Sequence, residues 1–590
     1  MELDGKGTVN MEHYYTSERN VQALIALLKH HGVKRIIASP GTTNVTFVAS
    51  VQQDSFFEVW SSVDERSAAY MACGMAAETG EPVALSCTGA TASRNYLPGL
   101  TEAYYRKLPV VAITSTQHLG RVGQMVPQVI DRSLQPGDVC LVSVQVPSVH
   151  NDEDLRGCEA AINRALLALT RDGGGPAHIN LVTTYSEDFS VRELPCASVV
   201  DRVGVFDSLP PIGDGRVAVY VGAHRPFGAR LTAAVDAFCN AYDAVVVCDH
   251  TSNYHGGYNV LAPLLLSQDR YAPKCGNVDV MVHIGEVSGA YTQPRAREVW
   301  RVSPDGEARD PFGRLRYVFD MEEWAFFELY ARDSAGRDSN GVFLSEWVAE
   351  DEAIRSKIPE LPFSNAWCAQ QAGTRLPEAA TLHLGILNTL RCWNMFPVTE
   401  GVDCFCNTGG FGIDGGVSAL IGASLATPDR LFLGVVGDLA CFYDLNALGN
   451  RHIGPNLRLM VVNNGVGAEF KNYNHPAARF GEDADAYMAA RGHFGAQSPD
   501  LLRHYATDLG FEYLAASNKR EFLDALDVFV DPGARSRPVL LEVFTRVNDE
   551  SDALRLLRGL MVDVTAISKS VVREVLGTKG VRVVKKVLGR

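Results

Sequence analysis

The stretch GVVGDLACFYDLNALGNRHIGPNLRLMVVNN, residues 434–464, joins two apolar runs that each end in a residue able to bind a metal. Asp438 closes the first run, and the pair Asn463 and Asn464 closes the second. A carboxylate oxygen of Asp438, the amide oxygen of Asn464 and the backbone carbonyl of Val466 make three hard oxygen ligands. Around Mg2+, or Mn2+ or Ca2+ in its place, they leave room for two diphosphate oxygens and a water. Gly437, Gly465 and Gly467 let backbone N–H groups approach those oxygens. A helix expected to begin near Phe442 would add the positive end of its dipole. The same residues also fit a plainer role, with Asp438 as a helix N-cap and the asparagine pair as a turn.

A second acid stands far upstream. In SSVDERSAAYMACGMAAETG an extended run meets a helix, and Glu65 falls in its first turn, where an acid also complements the helix dipole. The small residues that follow, Ala68, Ala69, Ala72, Cys73, Ala76 and Ala77, let another helix or a ligand come close. A carboxylate in such a place is expected to be desolvated, with its proton affinity raised.

These residues need elements to hold them. The runs VKRIIASPG, PVALSCTG, LPVVAITST and AHINLV alternate with helix-length segments, the mark of a parallel sheet covered on both faces. Further strands are read at RVAVYVGA, DAVVVCD and VDVMVHIGE, and again at RLFLGVVGD, LRLMVVNN and RPVLLEVF. The fold class is α/β, with three doubly wound parallel-sheet domains. Their expected bounds are 1–195, 196–350 and 351–560, followed by a tail, 561–590, with seven Lys/Arg against two Asp/Glu. The first and third domains look like the same kind of unit. The tail reads as a solvated or oligomer-packing segment, with contact to an anionic membrane surface as the second reading.

Composition narrows the class. The 590 residues carry a net charge of −15, which disfavours nucleic acid as the main partner. No apolar run is long enough to span a bilayer, and MELDGKGTVNMEHYY lacks the features of a signal peptide, so a cytoplasmic location is expected. The 13 cysteines have no CxxC pair and read as reduced core residues.

Gly-Asp, the 26-residue spacing from Asp438 to Asn464, and Asn-Asn together resemble the thiamine-diphosphate motif of the decarboxylase and acetolactate synthase superfamily. Within it, FGIDGG, GDLACFYDLNAL and LEVFTRVNDESDALRLL look most like the menaquinone-pathway synthases of 2-succinyl-5-enolpyruvyl-6-hydroxy-3-cyclohexene-1-carboxylate. The resemblance implies thiamine diphosphate held through a metal at Asp438, Asn464 and Val466, with Gly437, Leu439, Gly467 and Ala468 around the diphosphate. It implies Glu65 as the acid at N1′ of the aminopyrimidine. Pro40 and Gly41 in SPGTTN, and Gly89 and Asn95 in CTGATASRN, would wall the pyrimidine. Thr408, Gly409 and Ile413 in NTGGFGIDG would lie at the cofactor, with Ile413 wedged beneath it. Gln128 and His118 are implied as further catalytic residues. The central domain has no GxGxxG loop, so FAD is not expected.

The resemblance also implies a homodimer or homotetramer with active sites between subunits, and a 2-oxo acid as substrate, decarboxylated with protonation or with transfer to an acceptor. Two departures bear on that substrate. Thr43 and Thr408 stand where arginines of the motifs SPGSR and NRGxxGIDG would hold carboxylates. Glu469 replaces an apolar residue, and Lys471, His475 and Arg479 follow it. Thr43, Arg94, Glu469 and Lys471 are therefore the candidate substrate contacts, and a different acid or acceptor is expected. The alternatives are the menaquinone-pathway synthase itself, with arginines from elsewhere, and a non-catalytic thiamine-diphosphate binder.

Overall fold

A computed structural model describes residues 14–290, 292–334, 339–493, 497–533 and 535–563. The basic tail expected at 561–590 lies outside them beyond residue 563. Three parallel sheets organise the chain, so the three α/β layers expected from the alternating runs are present.

The first sheet has six strands, β1 (Arg35–Ala38), β2 (Glu58–Ser61), β3 (Val83–Cys87), β4 (Val110–Thr116), β5 (Val142–Val146) and β6 (Ala177–Val182), in the order β2-β1-β3-β4-β6-β5. Its central strands β3, β4 and β6 are buried along their whole length, as their unbroken apolar runs require of strands covered on both faces. On one face Val21, Leu24, Ile25 and Leu28 of the helix Arg19–His30 pack on Ile36, Val111, Ile113 and Ile179. The spacing of those four is that of one helical stripe. On the other face Ala68, Ala69, Ala72 and Ala76 of the helix Glu65–Thr79 pack with Leu85, Leu100 and Ala112.

The middle sheet has seven strands, β7 (Asp201–Gly204), β8 (Val217–Val221), β9 (Val245–Cys248), β10 (Asn259–Leu261), β11 (Asn277–Ile284), β12 (Arg295–Val302) and β13 (Leu315–Asp320), in the order β10-β9-β8-β11-β12-β13-β7. The last sheet has six, β14 (Thr381–Leu384), β15 (Asp403–Phe405), β16 (Phe432–Gly437), β17 (Leu457–Asn463), β18 (Glu512–Ala516) and β19 (Val539–Phe544), in the order β15-β14-β16-β17-β19-β18. Strand for strand this repeats the order of the first sheet, so the first and third blocks share one topology. The chain divides into two compact units, residues 1–209 with 299–321, and residues 210–298 with 322–590.

Among the described residues no helix is long and apolar enough to cross a membrane. The cysteines form no disulfide, and all but Cys196 and Cys406 are buried.

Candidate active site

In the second unit, β16 and β17 pair in parallel with Gly437 opposite Val462, so Asp438, just after β16, and Asn463, the last residue of β17, stand side by side at the carboxyl edge. That edge is where open α/β sheets bind ligands. The helix begins at Asp438 itself and runs to Tyr443, one turn earlier than the expected start near Phe442. Gly437 is its N-cap, so Asp438 is not the cap residue.

The two asparagines have different tasks. Asn463 Nδ2 donates to Glu542 Oε1 at 2.7 Å, and Asn463 Oδ1 accepts from the Gly465 N–H at 3.2 Å. Asn463 is thus the turn residue and is tied into the sheet. Asn464 Oδ1 is buried and has no hydrogen-bond partner among the described residues. An amide oxygen left so at a strand end calls for an electropositive partner. Asp438 is 4% exposed and its Oδ2 accepts from the Gly465 N–H at 2.9 Å. Burial pushes its carboxyl up to about 7, against the lowering effect of the backbone N–H groups of Leu439 and Gly465. Val466 is buried beside them. No group of three His, Cys, Asp or Glu side chains is gathered for a metal among the described residues. The set here mixes one carboxylate with an amide oxygen and a backbone carbonyl, which is hard-cation chemistry.

Gly467 and Ala468 continue the same turn, and a Cβ at Gly467 would lie 3.1 Å from the Phe470 ring. Leu439 is half-buried one residue after Asp438. Ile413 lines a narrow cavity at the carboxyl ends of β14, β15 and β16, together with Gly385, Phe405, Asn407, Val436 and Ala440. Gly409 is exposed, whereas Thr408 is 5% exposed and turned into the interior.

The pair Glu469 and Lys471 is already engaged. Glu469 forms a two-pronged ion pair with Arg391, at 2.5 and 3.0 Å. Lys471 Nζ donates to Asp485 Oδ1 and to the Gly481 carbonyl, at 2.5 and 2.6 Å. The Arg391–Glu469 pair borders a cleft that Pro263, Ala290, Asn394 and His475 also line. Arg391 has no motif to announce it and escapes sequence reasoning.

In the first unit Glu65 is the first residue of the helix Glu65–Thr79, with Asp64 as the N-cap accepting from the N–H groups of Arg66 and Ser67. Asn95 Nδ2 approaches Glu65 Oε2 at 3.4 Å. In this chain Glu65 is half-buried, so the full desolvation expected of it is absent. The small residues behind it admit a helix of the same domain. A Cβ at Gly99, in the helix Leu97–Tyr105, would lie 2.4 Å from the Ala69 Cβ.

The two glycine turns are close approaches. A Cβ at Gly41 would meet the Thr88 Cβ at 2.5 Å, and one at Gly89 would meet the Gln128 carbonyl oxygen at 2.5 Å. Pro40 is exposed beside Gly41. Gln128 is exposed with φ +65°, and Ala90 holds φ +48°, both in the left-handed half of backbone space that non-glycine residues enter at some cost. Arg94 is exposed and makes no ion pair among the described residues. His118 is exposed and its Nδ1 accepts from the Gly120 N–H at 3.1 Å, capping a short turn. Thr43 is 4% exposed, and its hydroxyl bonds the Thr88 hydroxyl at 2.5 Å and the Ser115 carbonyl at 3.1 Å. Its polar atom is thus engaged inside the sheet edge.

Comparison with known proteins agrees with this geometry. Residues 19–134 match the family described as thiamine pyrophosphate enzyme, N-terminal TPP binding domain. The chain is similar to the thiamine-diphosphate-dependent enzymes. Its similarity extends over nearly its whole length to proteins named 2-succinyl-5-enolpyruvyl-6-hydroxy-3-cyclohexene-1-carboxylate synthase. That of Bacteroides fragilis is 29% identical over 568 residues, covering 92% of this chain and 98% of that protein. That of Phocaeicola vulgatus is 27% identical with the same coverage. That of Desulfotalea psychrophila is 26% identical over 535 residues, 86% of this chain and 97% of that protein.

Proposed function

We propose that this enzyme uses thiamine diphosphate anchored through Mg2+ to decarboxylate a 2-oxo acid and to protonate the product or join it to an acceptor. The observation that carries the reading is the partnerless, buried Asn464 Oδ1 beside the Asp438 carboxylate. When bound, thiamine diphosphate supplies the carbanion chemistry of the reaction. Asp438, Asn464 and the Val466 carbonyl hold the metal, and Glu65 holds and returns a proton at N1′ of the pyrimidine. Gly41 and Gly89 would let backbone approach that ring. Gln128, on the segment that covers Gly89, is the candidate for orienting the substrate.

The printed name of the relatives carries over only as far as the reaction class. Thr43 and Thr408 offer no charge where that reading needs carboxylate-holding arginines, so the acid or the acceptor differs. We further propose a homodimer or homotetramer in the cytoplasm, with each active site completed by two subunits.

The test is CO2 release by the purified protein with thiamine diphosphate and Mg2+ across pyruvate, 2-oxoglutarate, phosphonopyruvate, sulfopyruvate and branched 2-oxo acids. Release from one acid that vanishes in Glu65→Gln is the expected result. Equal release by that variant overturns the assignment of Glu65.

A further inference from the structure

Arg132 is 3% exposed and has no carboxylate partner among the described residues. Its Nη2 donates to the Ser115 carbonyl at 3.2 Å, while its Nε and Nη1 are buried without any acceptor. The Ser115 hydroxyl beside it is equally buried and equally without a partner. Guanidinium carries five N–H donors and stays charged, so a buried one left without an anion is strongly destabilising. The surroundings do not supply that anion. The titratable groups that face it are the Cys87 thiol and His178, and His178 is already held between the hydroxyls of Thr114 and Ser143 at 2.7 and 2.8 Å.

The location gives these unpaired donors a meaning. The carbonyl that Arg132 binds is the one the Thr43 hydroxyl binds, at 3.1 Å. That same Ser115 carbonyl would lie 3.8 Å from a Cβ at Gly89. Arg132 therefore brings its charge to the turn cluster of Thr43, Thr88 and Gly89, four residues after Gln128. The segment that carries it, between β4 and β5, holds only the short turn Leu119–Arg121 and exposes Met125 and Leu134 at 100% and 86%.

We propose that Arg132, with the Ser115 hydroxyl, is the receptor for a carboxylate of the substrate, entering beneath the 117–141 segment. It delivers from another strand end the positive charge that Thr43 cannot offer. The inference rests on the decarboxylase reading for the identity of the ligand as substrate, and on the geometry alone for the anion site.

The experiment is calorimetric titration of the enzyme loaded with thiamine diphosphate and Mg2+, at constant ionic strength, with succinate and 2-oxoglutarate as carboxylate probes and chloride as the small-anion control. Saturable carboxylate binding is expected, weakened about tenfold or more in Arg132→Gln and regained in part when Thr43→Arg is added. Should Arg132→Gln fail to fold, Arg132→Lys keeps the charge without the planar fork and is expected to bind at least about threefold more weakly. Equal affinity in these variants overturns the site, and chloride binding as tight as the carboxylates overturns the carboxylate assignment. Arg132-dependent binding without CO2 release from any acid upholds the site and removes the decarboxylase reading. Turnover indifferent to Arg132 does the reverse.

Discussion

The Gly465 N–H donates to Asp438 Oδ2 at 2.9 Å, locking the turn after β17 onto the first residue of the helix that follows β16. This bond fixes where the partnerless Asn464 Oδ1 stands relative to the Asp438 carboxylate. The two asparagines, adjacent in sequence, divide into one tied into the sheet and one whose buried amide oxygen has no partner among the described residues.

Substitutions at the pair should separate. Asn464→Leu and Asp438→Asn are each expected to weaken Mg2+-dependent binding of thiamine diphosphate by about tenfold or more, with the fold intact. Asn463→Ala removes one of the two side-chain donors to the buried Glu542, the other being the Tyr513 hydroxyl, and should lower stability by roughly 1–3 kcal/mol, while metal affinity changes less. Cofactor titration by tryptophan fluorescence, beside chemical denaturation of the same variants, distinguishes the two. Identical cofactor losses in all three variants would contradict the division.

Gly89→Ala puts a methyl where the Gln128 carbonyl lies 2.5 Å away, and a backbone oxygen does not yield cheaply. Displacement of the Gln128 segment, a lower thermal midpoint and a fall in kcat of about tenfold are expected, in line with the sensitivity of catalysis to small misplacements. Gly409→Ala, where nothing lies within 4 Å, should leave stability unchanged.

The Arg391–Glu469 pair is about four-fifths buried on both sides. Arg391→Ala leaves the Glu469 carboxylate without its partner and should cost roughly 1–3 kcal/mol. Because the pair borders the cleft, Glu469→Gln should change which acids or acceptors are accepted more than it changes stability. Denaturation midpoints and a substrate panel on both variants check this.

Much of this site follows from strand ends that the sequence announces. The long runs that became β3, β4, β16 and β17 are buried in mid-sheet, all but the half-buried Gly437 at the end of β16, where both faces demand apolar residues, and Asp438 and Asn464 stand out at their ends. The edge strands β5, β7, β10, β15 and β18 were not legible, and β2 only as an extended run. An edge strand is covered on fewer sides, so segments such as Glu58–Ser61 and Glu512–Ala516 are mostly exposed or half-buried and lose the apolar signature. Central β14, with the sequence TLHL, is too short to carry one. Arg132 and Arg391 were illegible for another reason. Their significance lies in having no partner, or a distant one, and neither property is written in local sequence.

Burial lifts the Glu550 carboxyl from its ordinary 4.5 to about 7, against the lowering effect of the Thr545 hydroxyl and the Asn365 N–H that it accepts. A group whose pKa is raised on folding stabilises fully below its unfolded value and loses that contribution as pH rises through the folded one. The wild type should therefore lose stability relative to Glu550→Gln between pH 4.5 and 7, by roughly 3 kcal/mol at most. Thermal midpoints of both proteins across that range test it, and parallel curves would count against the assignment.

The central claim is that Glu65 serves the cofactor and is not merely a helix-dipole acid. Its most direct test needs no substrate: the rate at which the C2 proton of bound thiamine diphosphate exchanges with deuterium, followed by NMR on acid-quenched enzyme with Mg2+ present. Exchange far faster than in free cofactor, and slower in Glu65→Gln by about a hundredfold or more, is the result this account predicts. Equal exchange in the two proteins, with cofactor equally bound, would contradict it.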